Sequence, residues 1–448
     1  MRVPEGNHLT NDVAAAPVVR LDPVSLPPPG RDPGRAASLS WRAALSVALL
    51  VGVFVLALVL ILAGIGLNVL VFRLGRVNVG LVVATVAVVA AVGRALQSAV
   101  KTPPEPPDEL EVPAEAEPGL HDEVRRLAEQ VGTRPPDRVV LIPAVNAYVR
   151  EFGPLLGLLG GTRTLAIGTP LLDTLTVSQL RAVLAHELGH LAGGDTRLGP
   201  LAYRTEQVLA DLVGRLHGSL SGRVFAAYWK LQHRVSAKVR RGQELVADRA
   251  AVEVAGRQAA ADALRVVEVT AVAQDVLNRA YLGPLLETGH RPADLRYGLR
   301  QLLRGRAGDL VAHLDEAVGE ADPYASHPPT AERILRLAHL PETHVGGTDD
   351  RAARALLRDP AAWITTVDDR WLHLVTGGAG LPAVAWSEWP RLVVAEERTA
   401  RATTVNGVLA DLGLPEGLAG VQAAFERGRE RELAAALVRA GWRTGGPD

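Results

Sequence analysis

The sequence predicts a mainly α chain with a small β-sheet, standing behind a two-helix transmembrane hairpin. Three observations carry this. Two uncharged apolar runs, at 43–72 and 77–93, lie near the start of the 448 residues with only Arg73-Leu74-Gly75-Arg76 between them. Two short β-branched runs, at 138–142 and 163–168, follow. Most of the remainder repeats its apolar residues at the helical period.

Residues 1–40 are rich in Pro, Gly and Ala, with Pro27, Pro28 and Pro29 in a row, and show no hydrophobic period. They read as a disordered tail. Residues 41–97 hold the hairpin. Its first run has thirty uncharged residues, long enough to cross a bilayer, for which about twenty suffice. The second has seventeen, at the short end of the range, where a buried core helix is the competing reading. A hairpin puts both flanks on one side. Arg31, Arg35, Arg42, Arg94 and Lys101 sit at its open end, against Arg73 and Arg76 in the turn. The positive-inside rule then places the termini and the C-terminal bulk in the cytoplasm of a two-span, multi-pass protein of the cell membrane. Residues 98–118, acidic and Pro-rich, read as an extended, solvated linker that lifts the following domain from the bilayer.

The formal net charge of −1 gives no bulk attraction for nucleic acid, and none is expected as a partner. The absence of cysteine removes disulfides, thiolate ligands and cysteine nucleophiles together.

A soluble domain is expected over 119–345. Val124, Leu127, Ala128 and Val131 share one face of a first helix. The two strands come next. Thr176 with Gln179 three residues on forms a capping box for a helix that Gly193-Gly194 end. Further helices are expected at roughly 198–216, 222–240, 243–255, 258–280, 293–304 and 308–319. None contains eighteen uncharged residues. A helical accessory domain over 346–448 carries five of the seven Trp, expected in its core.

The capped helix contains His186-Glu187-Leu188-Gly189-His190, the pattern H-E-x-x-H. Positions four apart share a helical face, so His186 and His190 can hold one zinc ion with Glu187 beside its water. Catalytic zinc normally keeps three protein ligands. A His six residues after His190 would mark one known class; Thr196 stands there. Glu244, four residues before Asp248 on another helix, can be the third ligand, with Asp248 bracing a ligand from behind. Taken alone, the pair would read as a solvent-facing acidic face. Ser326-His327-Pro328-Pro329 make a rigid turn before the helix of Arg333. There His327 could donate to an oxyanion and Arg333 could pair with Asp248.

These motifs resemble the HtpX-type and CAAX-prenyl-protease-type membrane zinc metallopeptidases, which are gluzincins. The resemblance spans about 120–340 and rests on Asn146-Ala147-Tyr148, on Leu171-Leu172 through H-E-x-x-H to Asp195, on Glu244 to Asp248, and on Ser326 to Pro329 with Arg333. It implies a zincin-like α+β catalytic domain with one zinc ion held by His186, His190 and Glu244. It further implies Glu187 as general base and acid, His327 as transition-state stabiliser, and Asp248, Arg333 and Asp195 as supports. The sequence departs from the family in showing no further spans after the zinc helix and in its C-terminal region. We therefore expect a membrane-anchored zinc endopeptidase acting on polypeptides, in quality control of membrane or misfolded proteins. The strand around Leu165, Ala166 and Ile167 is the expected edge for an extended peptide. The competing reading is a non-catalytic, metal-stabilised membrane scaffold; Glu187 argues against it, because a structural site has no use for a general base. Oligomeric state is not legible.

Overall fold

The computed structural model describes residues 19, 21–26, 40–100, 105–152, 161–192, 213–214, 216, 218–316, 328–342 and 347–440. They divide into two compact units, residues 1–273 with 300–374, and residues 274–299 with 375–448. The chain is mostly helical with a small mixed sheet.

In the first unit, α1 (Ser40–Arg73) and α2 (Val79–Val100) pack against each other. The Asn68 side chain donates to Thr85 Oγ1 at 3.0 Å across the pair and to Gly64 O at 2.8 Å. Such a satisfied polar pair joins two apolar helices without leaving a bare amide. By length and composition Gly52–Arg73 is a candidate bilayer span; the apolar part of α2, Val79–Arg94, is shorter. Val53, Ala57, Val88, Ala91 and Val92 form a core with Phe225 from α6 (Leu220–Ala255). At Gly52 a Cβ would collide with the Tyr228 hydroxyl, so the glycine lets α6 lie close to α1.

The helix α6 is continuous where a break near Gly242 is expected. A glycine within a helix costs about 1 kcal/mol. Packing at both ends of a 36-residue helix outweighs that. Likewise α9 (Leu295–Glu316) is continuous through Gly305 and Gly308.

The sheet has strand order β1-β2-β4-β3, from β1 (Leu110–Glu111), β2 (Arg138–Ile142), β3 (Ala147–Phe152) and β4 (Thr162–Gly168). β4 runs parallel to β2 and antiparallel to β3. Leu165, Ala166 and Ile167 are therefore paired on both sides and fully buried, so β4 is not an edge. β3 takes that place, bonded among the described residues to β4 alone.

The acidic segment before the domain is also not a solvated linker. Leu110 and Glu111 pair with β2, and Val112 is buried. Glu109 is buried against Arg150 and Tyr148, while Glu105 and Glu111 flank Arg138. Glu117 accepts from the Trp363 indole at 2.7 Å and from Arg358 N at 2.6 Å. Its acidic residues meet arginines that the chain supplies later, and the segment becomes part of the domain.

Helix α3 (Pro118–Val131) buries the predicted Leu127 face. A short α4 (Thr169–Thr174) leads into α5 (Val177–Gly189), where Thr176 and Gln179 form both bonds of the capping box. Gly193-Gly194, and the helix expected at 198–216 apart from a few of its residues, lie outside the described residues. Residues 349–353 bind the start of α5: Asp349 O accepts from Ser178 N, and Ala353 N donates to Leu175 O. Residues 347–374, with Trp363 and Trp371, thus belong to the first unit, including most of α11 (Pro360–Val375). α7 (Arg257–Val276) and α10 (Thr330–Ala338) complete its core, where Ala251, Ala255, Ala260, Ala263 and Leu337 cluster.

An extended piece of the N-terminal tail docks there. Val24 N donates to Asp262 Oδ1 at 2.7 Å, Gln258 donates to Val24 O at 3.1 Å, and Val24 and Leu26 pack on the same apolar cluster.

The second unit takes residues 274–299, including a π-helical turn (Leu277–Leu282) and α8 (Gly283–Glu287). Its C-terminal part is α12 (Trp389–Asp411), α13 (Gly417–Glu426) and α14 (Glu430–Arg439), closed over Leu409, Leu414, Ala424 and Leu433. The Trp386 and Trp389 indoles donate to Asp294 O and Tyr281 O, each at 2.7 Å. Gly298 leaves room for the Trp386 ring, which a Cβ there would meet at 2.7 Å.

Candidate active site

The site grows from the crossing of α5 and α6. At Gly189 a Cβ would stand 2.9 Å from Ala247 Cα and 3.0 Å from Ala250 Cβ, so only glycine permits this approach without a shift. The close crossing sets the last turn of α5, with His186 and His190, beside the turn of α6 that carries Glu244 and Asp248. His186 and His190 lie one turn apart with ring centroids 4.7 Å apart and planes nearly perpendicular.

Glu244 faces both. Its Oε2 is 3.7 Å from His186 Nε2 and its Oε1 is 3.6 Å from His190 Nε2. Ligands about 2.0–2.1 Å from a tetrahedral zinc stand roughly 3.3 Å from one another, close to each of these two separations, which are made by different oxygens of the Glu244 carboxylate. His186, Glu187 and His190 also offer ligand atoms within one small sphere, as do His186, Glu244 and Asp248. Two imidazoles and a carboxylate, with Glu244 almost wholly buried, fit a zinc site that keeps a coordination position open.

Behind the donors, Asp248 Oδ1 lies 3.1 Å from His186 Nδ1 and accepts from Arg333 Nη2 at 2.6 Å and Nε at 3.2 Å. Burial alone pushes the Asp248 carboxyl up, but its hydrogen bond with His186 and the charge of Arg333 outweigh burial and lower it to about 2. Asp248 therefore stays ionised and faces His186 Nδ1, where it can orient the imidazole ring. The Arg333 guanidinium also lies against the imidazole, with Nη2 3.0 Å from Nδ1 and 3.3 Å from Nε2.

Of the predicted residues, His186, Glu187, His190, Glu244, Asp248 and Arg333 come together. His327 and Asp195 lie outside the described residues. Leu165, Ala166 and Ile167 sit inside the sheet rather than at its edge. Asn146 and Ala147, which carry part of the resemblance but were given no role by it, line the wall beside His186 and Glu187. Their signal was Gly168 after the second strand: its N–H donates to Asn146 O at 2.8 Å, and a Cβ there would strike Ala144 O.

Residues 114–340 match peptidase family M48. Among curated relatives, a protease HtpX homolog of Pyrococcus abyssi (strain GE5 / Orsay) is 27% identical over 251 residues, covering 51% of this chain and 75% of that protein. One from Persephonella marina (strain DSM 14350 / EX-H1) is 26% identical, covering 51% and 77%. Protease HtpX homolog 1 of Saccharolobus solfataricus (strain ATCC 35092 / DSM 1617 / JCM 11322 / P2) is 41% identical over 80 residues, 18% of this chain and 24% of that protein. No solved structure matches the chain.

Proposed function

The chain belongs to peptidase family M48 and is a metalloprotease, and on that premise we propose a membrane-anchored, zinc-dependent endopeptidase whose catalytic domain faces the cytoplasm. The observation that carries the zinc assignment is the placement of Glu244 within 3.7 Å of both histidines from a separate helix. His186, His190 and Glu244 would hold one zinc ion. When bound, zinc polarises the scissile carbonyl and makes a nearby water acidic enough to ionise near neutrality. Glu187 takes the proton from the attacking water and returns it to the departing amine. Asp248 and Arg333 hold the His186 ring in register. By the resemblance of their sequence motifs, His327 would donate to the oxyanion and Asp195 would be a supporting residue. A peptide lying along β3 would meet the site by backbone pairing that tolerates many side chains, which suits quality control of misfolded or unassembled polypeptides.

The membrane assignment rests on the outward faces of α1 and α2, where Leu58, Leu62, Leu70, Val82, Val83 and Val86 are all exposed. The docked tail supports two crossings rather than one. Residues 21–26, before α1, bind α7, after α2. Both flanks of the pair then share one side, which an even number of crossings satisfies.

The test compares purified full-length wild type with Glu187→Gln for bound zinc and for cleavage of an unfolded protein. Equal zinc is expected, with cleavage lower by about 10²–10⁴-fold in the variant. Equal cleavage by both would sink the mechanism.

A further inference from the structure

The N-terminal segment is held on α7 by a built contact. Val24 gives its N–H to Asp262 and accepts at its carbonyl from Gln258; these two side chains, one turn apart, are themselves joined at 2.9 Å. Both backbone groups of one residue are thus read by a carboxylate and a carboxamide already fixed to each other. Val24 and Leu26, two apart on an extended chain, turn to one side and are half-buried, while Ser25 between them is exposed. They pack on the cluster that holds Ala255, Ala260, Ala263 and Leu337. What they hold in place leads to the metal site by two routes. α7 follows α6 with only Gly256 between them, so its position bears on the helix that carries Glu244 and Asp248. Arg257, the first residue of α7, donates to Ala338 O at 3.2 Å and pairs with Glu342 at 3.1 Å, which ties α7 to the end of α10. α10 carries Arg333, which is bonded to Asp248 beside His186.

We propose that residues 21–26 are a strap that switches the metal site on from a distance. Docked, the strap holds α7 and α10 in the arrangement that sets Arg333 on Asp248 and Asp248 on His186. Released, it leaves both helices free to shift and the zinc more weakly held. The side of α7 opposite Gln258 and Asp262 carries Ala260, Ala263 and Val267 into the wall of the cavity beside His186 and Glu187. Val24 and Leu26 are not part of that lining, so the strap backs the wall and does not plug it. The inference rests on the zinc assignment for His186, His190 and Glu244, and adds a second, remote site that governs it. Coupling between two sites is reciprocal: whatever factor the strap adds to zinc affinity, zinc adds to the affinity of the strap. The strap stands just ahead of α1 in the chain, so a partner that drew the N-terminal segment away would lower activity without touching the catalytic groups.

The test releases the strap in full-length protein with the double substitution Val24→Asp, Leu26→Asp and replaces it with a synthetic peptide of residues 18–28. A segment tethered in cis acts at an effective concentration of about millimolar, so the peptide is added up to that level. Zinc affinity is read by competition with a chelator, and peptide binding by calorimetry. The released variant should bind zinc about 5- to 150-fold more weakly than wild type and cleave an unfolded protein with a lower kcat, and the peptide should restore both. The peptide should also bind the zinc-loaded variant more tightly than the metal-free one, by the factor that it adds to zinc affinity. A peptide carrying Val24→Asp should restore nothing, and adding Asp262→Ala to the released variant should abolish rescue by the unaltered peptide. Equal zinc affinity and cleavage with the strap docked and released would overturn the coupling. Higher activity on release would overturn it too, by making the segment an inhibitor; either result leaves the peptidase reading intact. Wild type that binds no zinc would overturn that reading, and the coupling with it.

Discussion

Asp248 and Arg333 show how much of the proposed metal site would lie behind its ligands. The carboxylate is nearly inaccessible and serves two partners at once, His186 at 3.1 Å and Arg333 at 2.6 Å. Removing its charge loosens the imidazole that must present Nε2, so Asp248→Asn should weaken zinc binding by about 10- to 100-fold, read by competition with a chelator. Unchanged affinity would show that His186 is held by other contacts. Arg333→Met has a different consequence, because it leaves a buried carboxylate without its cation. Such a loss costs about 3–5 kcal/mol. Denaturant unfolding should show it, with partial recovery in the Asp248→Asn, Arg333→Met double variant. At this scale the sequence was readable where the chemistry is local. His186, Glu187 and His190 share five consecutive positions, and Glu244 and Asp248 share one turn. That Arg333 presses on the His186 ring as well as on Asp248 was not readable, since it depends on how α10 packs.

At the scale of elements, the site depends on how closely α5 meets α6, and Gly189 governs that. Gly189→Ala must push Ala247 and Ala250 outward, which in packed cores costs about 1–3 kcal/mol. We expect a lower melting temperature together with reduced zinc content, because the same shift carries Glu244 away from the histidines. A melting loss with zinc content unchanged would separate the crossing from the ligand geometry. The capping box and strands β2 and β4 were legible because their signals are local. Strand order was not: β2 and β4 look alike in sequence, and which strand ends up at the edge depends on β3, whose Arg150 and Glu151 obscure its alternation. The acidic stretch misled for a related reason. Six carboxylates without a nearby base imply a solvated chain, yet Arg138 and Arg150, which meet Glu105, Glu111 and Glu109, arrive some thirty to forty residues later. Charge pattern alone does not reveal a partner at that separation.

For the whole molecule, α6 is the connecting member. Its first turns pack Phe225 and Tyr228 against α1 and α2, and its last turns carry Glu244 and Asp248. The α1–α2 pair and the turn that carries Glu244 and Asp248 are thus joined by one continuous rod, and the segment expected to hold the domain away from the pair is folded against the sheet. The domain is accordingly held at the helical pair rather than tethered at a distance from it. The tail closes the same circuit from the other direction, since Val24 is hydrogen-bonded to Asp262 and Gln258 of α7. If α1 and α2 both cross the bilayer, Ser25 and Gln258 face one compartment and Arg76 the other. The chain has no cysteine, so each can be replaced singly by Cys and probed in intact cells with a thiol reagent that does not cross membranes. Arg76→Cys should react from outside, while Ser25→Cys and Gln258→Cys react only after the membrane is opened. Labelling of all three from one side would mean that neither helix crosses. Ser25→Cys and Gln258→Cys on opposite sides would mean that only one does, and the tail could not then dock on α7.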